Sequence, residues 1–180
     1  MSAAGARSRS GERAAPESRS ARRARAAAAR PSAGPAEPHE DIVAAWLAFA
    51  TRRAVVSHET ALALYDLAPS RSHEIHLTVP RQMRPRSARP PDGVALHTTI
   101  VPLRRDEVAK RFGVEITAPA RTLVDVADVG VDPSVLVEAV ARALSAGLVT
   151  SGELREAVNA RSARVRRLVE RAIRDAAANA

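Results

Sequence analysis

Cysteine is absent from the 180 residues, which excludes disulfides and thiolate chemistry and fits a reducing compartment. Aromatic residues make up only 2% of the chain, so Ala, Val and Leu must build any core, within a hydrophobic fraction of 46%. No run of about 18 apolar residues occurs, so no transmembrane helix is expected. No apolar segment follows the basic N-terminus, so no secretory signal is expected either, and the cytoplasm is the expected location. No glycine-rich phosphate loop is present, so nucleotide binding has no motif. Lysine occurs once, at Lys110, among 28 basic residues.

What is abundant is arginine. The net charge is +8 and the pI about 11.4, a balance that suits nucleic acid or another anionic partner. Arginine in place of lysine, beside so much alanine, also reflects compositional bias, which raises pI without a partner. Half of the excess lies before Asp41, where eight arginines face four glutamates. Residues 1–38 carry almost nothing apolar larger than alanine and cannot offset the entropy of ordering. They are expected to form a disordered tail, either a passive solvated segment or a polybasic arm, leaving residues 39–180 as a single domain.

Along that domain, Glu40–Arg52 is expected to be an amphipathic helix burying Ile42, Val43, Trp46, Leu47 and Phe49. Ala54–Leu67, AVVSHETALALYDL, is expected to give a short strand, an N-cap at Ser57 and a helix, with Glu59 in its first turn. Glu74–Val79 alternates as a strand does. Proline density from Pro80 to Asp92 forbids a strand or helix interior and predicts a long loop. Val94–Ile100 is expected to be a second strand, Arg105–Arg111 a short helical turn, and Val114–Thr117 a third strand. Pro119 opens a helix carrying Arg121 and Asp125. Asp132 caps the next helix, Thr150 and Glu153 form a capping box, and a last helix is expected over about Ser162–Ala177. The expected class is α+β: a small mixed or antiparallel sheet packed against helices, with a helical C-terminal third.

Four stretches occur in order: AVVSHETAL, IHLTVP, GVALH and GVEITAPARTLVDVA. Together they resemble the AbiEi family, the antitoxins of type IV toxin–antitoxin systems, over roughly Asp41 to Val158. The resemblance implies a non-enzymatic antitoxin-like regulator that counteracts a cognate nucleotidyltransferase-like toxin, directly or indirectly, within abortive infection. Such antitoxins usually begin with a DNA-binding winged helix-turn-helix, which represses the operon. Nothing before His39 has the apolar periodicity of one, so no DNA-reading residue is carried over. The part present resembles the C-terminal, antitoxin region.

The positions matching the family pattern are Ser57, His58, Glu59, His76, His97, Arg121 and Asp125. Of the core histidines, His73 and His76 point to opposite faces of a strand and chelate poorly. No metal and no cofactor is therefore assigned. A Ser57–His58–Asp125 triad fails on local logic, because adjacent Ser and His side chains do not ordinarily hydrogen-bond, and Ser57 is explained as a cap. Arg121 and Asp125, at i and i+4, are expected to pair, either to organise the fold or to mark a polar centre near His58 and Glu59. Arg164, Arg167, Arg171 and Arg174 share one face of the last helix. With Arg81, Arg84 and Arg86 of the Pro/Arg loop, they are the candidate surface for a partner or for weak, non-specific nucleic acid. The alternative to the antitoxin reading is a nuclease-like enzyme using His and Asp/Glu groups, or a stand-alone nucleic-acid-binding protein.

Overall fold

A computed structural model describes residues 39–85 and 90–178. The expected tail, residues 1–38, and the candidate position Arg86 lie outside the described residues. The first helix, α1, spans Glu40–Phe49 and ends in a 3-10 turn, Ala50–Arg52. Trp46 is partly buried and anchors it by donating its indole N–H to the Ala54 carbonyl at 2.7 Å. Leu47 is 59% exposed, not buried as expected. At 100° per residue it lies about a third of a turn from the centre of the stripe made by Ile42, Val43, Trp46 and Phe49.

Five strands follow in one mixed sheet, ordered β3-β2-β1-β5-β4: β1 (Val55–Val56), β2 (Ile75–Pro80), β3 (Val94–Thr99), β4 (Val108–Arg111) and β5 (Val114–Thr117). β1 runs antiparallel to β2 and parallel to β5, and β2 runs parallel to β3. Parallel neighbours cannot be joined by a tight hairpin. The Pro/Arg-rich segment after Pro80, opening with a 3-10 turn at Arg81–Met83, supplies the crossover from β2 to β3.

The helical turn expected over Arg105–Arg111 is corrected. Only Arg105–Glu107 is 3-10, and Val108–Arg111 is strand β4. Phe112 (φ 50°) and Gly113 (φ 79°) are both left-handed. That backbone makes a two-residue hairpin turn, which folds β4 onto β5 with Arg111 opposite Val114.

The remaining helices are α2 (His58–Leu64), α3 (Pro119–Val129), α4 (Pro133–Ser145), α5 (Ser151–Ala157) and α6 (Ala163–Ala178). Asp132 caps α4 by accepting the Ser134 N–H at 2.8 Å, and Thr150 with Glu153 forms the expected capping box on α5. α4 packs along α6, while α3 touches α2, α4, α5 and α6. One core cluster runs from Val56, Leu77 and Ile116 of the sheet through Leu123 and Val126 to Val140, Val165 and Val169. None of the described helices is long and apolar enough to cross a membrane.

Candidate functional site

Alternation along β2 sends Leu77 and Val79 into the core and turns His76 and Thr78 to the opposite face. Register then gathers neighbours on that face. His97 of β3 lies opposite Thr78, and the backbone N–H of Ser57, just past β1, donates to the His76 carbonyl at 2.9 Å. Ser57, His76, Thr78 and His97 therefore share one polar surface of the sheet.

Ser57 is not the cap that the sequence suggests. Its hydroxyl is fully buried and makes no cap hydrogen bond. It lies 2.8 Å from the Thr78 hydroxyl and 2.9 Å from His58 Nδ1. Adjacent Ser and His side chains thus do hydrogen-bond here, contrary to expectation. The physical reason is the backbone of His58, which is left-handed at φ 54°. A non-glycine residue in that region costs about 1–3 kcal/mol and redirects its side chain. No triad results, because Asp125 is held by arginines rather than by His58.

Three histidines meet above Thr78. His58 is 6% exposed and stacks on His97 with ring centroids 3.6 Å apart. His76 Nδ1 lies 3.0 Å from His97 Nε2. One nitrogen from each of the three rings lies within 4.8 Å of the others, which makes them a possible metal-holding group. Burial is the main cause of depressed basicity in all three. It drives His58 to about 2, helped by His97, His76, Arg121 and Arg161, and His97 to about 4, helped by His76. Burial also lowers His76, against the pull of Glu59 and Glu74. At neutral pH the cluster is three uncharged imidazoles. His73 is exposed and stands apart from it.

Facing the histidines is a clamp centred on Asp125. Arg121 Nε donates to both carboxylate oxygens at 2.8 and 2.9 Å, and Arg161 Nη2 donates to Oδ1 at 3.0 Å. Arg121 Nη1 also reaches Glu107 at 3.0 Å, and Arg161 lies 3.5 Å from Asp128. Burial, the largest effect, leaves the Asp125 carboxyl above its ordinary value although the two guanidiniums pull it back. The three charge-assisted hydrogen bonds it accepts favour the charged form.

Between cluster and clamp opens a cleft of about 790 Å³, lined by His58, Thr78, His97, Arg121, Asp125 and Arg161 among others. Its rim includes exposed apolar residues, Ile100 at 74%, Val101 at 69% and Val129 at 56%. A second depression of about 840 Å³, lined by Arg53, Met83, Leu103, Lys110 and Glu115 among others, has no comparable convergence of histidines and clamped carboxylate.

Of the positions expected from the sequence, His58, His97, Arg121 and Asp125 line the cleft, with Ser57 and His76 behind its histidine wall. Glu59 is turned aside and accepts the backbone N–H groups of Arg71 and Ser72. Arg81 and Arg84 are exposed on the crossover. Arg164, which lacks an acid four residues on, finds one by tertiary contact: its Nη2 lies 3.9 Å from the Asp128 carboxylate and donates to the Asp128 backbone carbonyl. Arg171 pairs with Asp175 at 3.3 Å, and Arg167 and Arg174 are exposed. Sequence reasoning missed Glu107 and Arg161, which lie 14 and 36 residues from the clamp residues they bind. No local spacing signals such contacts.

The family model for the AbiEi antitoxin C-terminal domain matches residues 53–172, two thirds of the chain. That span includes the whole sheet and every cleft-lining residue named above. No curated protein sequence matches the chain.

Proposed function

Because the chain belongs to the AbiEi antitoxin family, we propose that its antitoxin-type role is to counteract a nucleotidyltransferase-like toxin, acting in the cytoplasm without catalysing a reaction. The observation that carries this reading is the family match across residues 53–172, which takes in the sheet, the clamp and most of α6. The surface that supports a partner is the cleft rim. Ile100, Val101 and Val129 expose apolar side chains at the cleft mouth, and exposed apolar groups with a polar surround mark interaction sites. Arg164 at the start of α6 is tied to this rim through Asp128, and the exposed Arg167 lies one turn further on. Arginine offers a planar fork suited to carboxylate or phosphate on the partner. Weak, salt-sensitive association with nucleic acid, and through it a contribution to transcriptional regulation, is the second reading that the +8 charge favours.

The test is co-expression with a nucleotidyltransferase-like toxin, sought in the neighbouring reading frame. The parent protein is expected to restore growth that the neighbour alone arrests. Reversal of Arg164, Arg167 and Arg174 to Glu is expected to abolish rescue while leaving the fold intact, because exposed substitutions cost little. Growth arrest that the parent does not relieve sinks the antitoxin proposal. Full rescue by a folded triple mutant moves the contact away from α6.

A further inference from the structure

We propose that His58, His76 and His97 form a three-histidine site for a borderline divalent cation of the zinc class, with its remaining coordination position facing the cleft. This inference stands apart from the antitoxin reading and rests on the geometry of the sheet face.

The ligands come from three elements fixed by backbone pairing: the β1–α2 junction, β2 and β3. Their available nitrogens lie within 4.8 Å of one another. Zinc–imidazole bonds of about 2.0–2.1 Å in a tetrahedral site place two nitrogens on one ion about 3.3–3.4 Å apart. The 3.0 Å separation of His76 Nδ1 and His97 Nε2 is within a few tenths of an ångström of that bite before any ring turns. His58 Nδ1 is engaged by Ser57, which is in turn held by Thr78, so Nε2 is the nitrogen left for a metal. An oriented outer partner of this kind fixes ring and tautomer in histidine metal sites. The stacked rings of His58 and His97 must turn about their terminal torsions for the lone pairs to converge, and that torsion is soft.

Two further observations point the same way. His76 Nε2 is buried and has no hydrogen-bond partner. A buried ring nitrogen left without a partner calls for an explanation, and an ion bound at the cluster is one. Second, none of the three imidazoles is hydrogen-bonded to a carboxylate, so no ion pair occupies their ring nitrogens. His58 also holds a left-handed backbone, a strain that an ordinary first residue of a helix has no reason to carry. An all-imidazole set suits Zn²⁺, and also Cu²⁺ or Ni²⁺, over Mg²⁺ or Ca²⁺, which prefer oxygen. His58 and His97 line the cleft while His76 lies behind them, so a fourth ligand, water or a group on a bound partner, enters from the cleft.

The experiment uses the full chain, stripped with a chelator and titrated with Zn²⁺ alone against a competing chromophoric chelator. One equivalent is expected to bind, with no competition from millimolar Mg²⁺. Co²⁺ substituted into the unmutated protein is expected to show the intense visible absorption of a four-coordinate site. His76→Gln and His97→Gln are each expected to weaken binding by more than the about 10–100-fold typical of losing an outer-shell partner, whereas His73→Gln leaves it unchanged. Failure of the parent to take up one equivalent, or a weak six-coordinate Co²⁺ spectrum, overturns the proposal whether or not the variants fold. Loss in His73→Gln equal to that in His76→Gln overturns it as well.

Discussion

Replacing Asp125 by Asn keeps the shape of the clamp and removes its charge. Asp125 is 4% exposed and its carboxylate accepts three hydrogen bonds from two guanidiniums. Breaking a buried pair by removing one partner costs about 3–5 kcal/mol, because the other charge is left uncompensated. Here the lower end applies. Arg121 keeps Glu107 at 3.0 Å, and Arg161 keeps Asp128 at 3.5 Å and is 23% exposed at its side chain. The expected loss is therefore about 3 kcal/mol, and at this domain size, with about 4 °C per kcal/mol, Tm falls by about 12 °C. Urea unfolding at pH 7 followed by circular dichroism gives the free energy, and a thermal melt gives Tm. Arg161→Met alone is expected to cost less than Asp125→Asn, since Asp125 then retains Arg121. A double-mutant cycle between the two positions is expected to show coupling of about 1–2 kcal/mol. A loss below about 1 kcal/mol for Asp125→Asn refutes the reasoning, because it means that burial has already protonated the carboxyl and that the arginines do not depend on its charge.

Further outcomes are expected. In chelator-treated protein, His97 and His58 titrate at about 4 and about 2 when folded, against an ordinary 6.5. Between about pH 4 and 6.5 the unfolded chain binds more protons, so stability falls as pH drops through that window, by about 1.4 kcal/mol per pH unit for each histidine; a flat urea midpoint from pH 7 to 5 contradicts this. Gly113→Ala meets no atom within 4 Å, yet φ is +79°, so about 1 kcal/mol is lost to backbone strain alone and Tm drops by about 4 °C; an unchanged Tm removes the hairpin argument. In a competition gel shift, operator and scrambled duplexes are expected to bind similarly and to dissociate steeply with salt, and a preference above about a thousandfold reveals a base-reading element.

The features legible in the sequence are those decided within a few residues. Pro119 at the start of α3, Asp132 as a cap, the Thr150–Glu153 box and the period-two pattern of β2 each carry their own signal. β4 was hidden because Val108–Arg111 is too short to show a period. Only the left-handed pair Phe112-Gly113 and the pairing with β5 make it a strand. The family-pattern positions Ser57, His58, His76, His97, Arg121 and Asp125 could be named in advance, and so could the Arg121–Asp125 pair four residues apart, but the partners distant in sequence could not. His76 and His97 appear unrelated at a separation of 21 residues until the parallel β2–β3 register sets them on one face.

The Ser57–His58 dipeptide shows why local logic failed at the centre of the site. A serine between a strand and a helix is most simply a cap, and the cap reading assumes that the residue after it adopts helical backbone. His58 does not. Once its φ is positive, its ring is free to lie against the Ser57 hydroxyl, and that hydroxyl is drawn away from the helix N-terminus to Thr78. The α2 N-terminus thereby loses a capping bond worth about 1 kcal/mol and carries strain besides. Two local costs at adjacent residues persist only if something else fixes the imidazole in that place. The stretches AVVSHETAL, IHLTVP and GVALH build the histidine wall, while ITAPARTLVDVA builds the Arg121–Asp125 clamp across the cleft from it. Arg161, from beyond all four stretches, binds Asp125 and Asp128 and so secures the clamp from the α5–α6 connection. The separate motifs thus converge on one cavity, and the strained His58 is the point at which the fold gives up local stability to shape it.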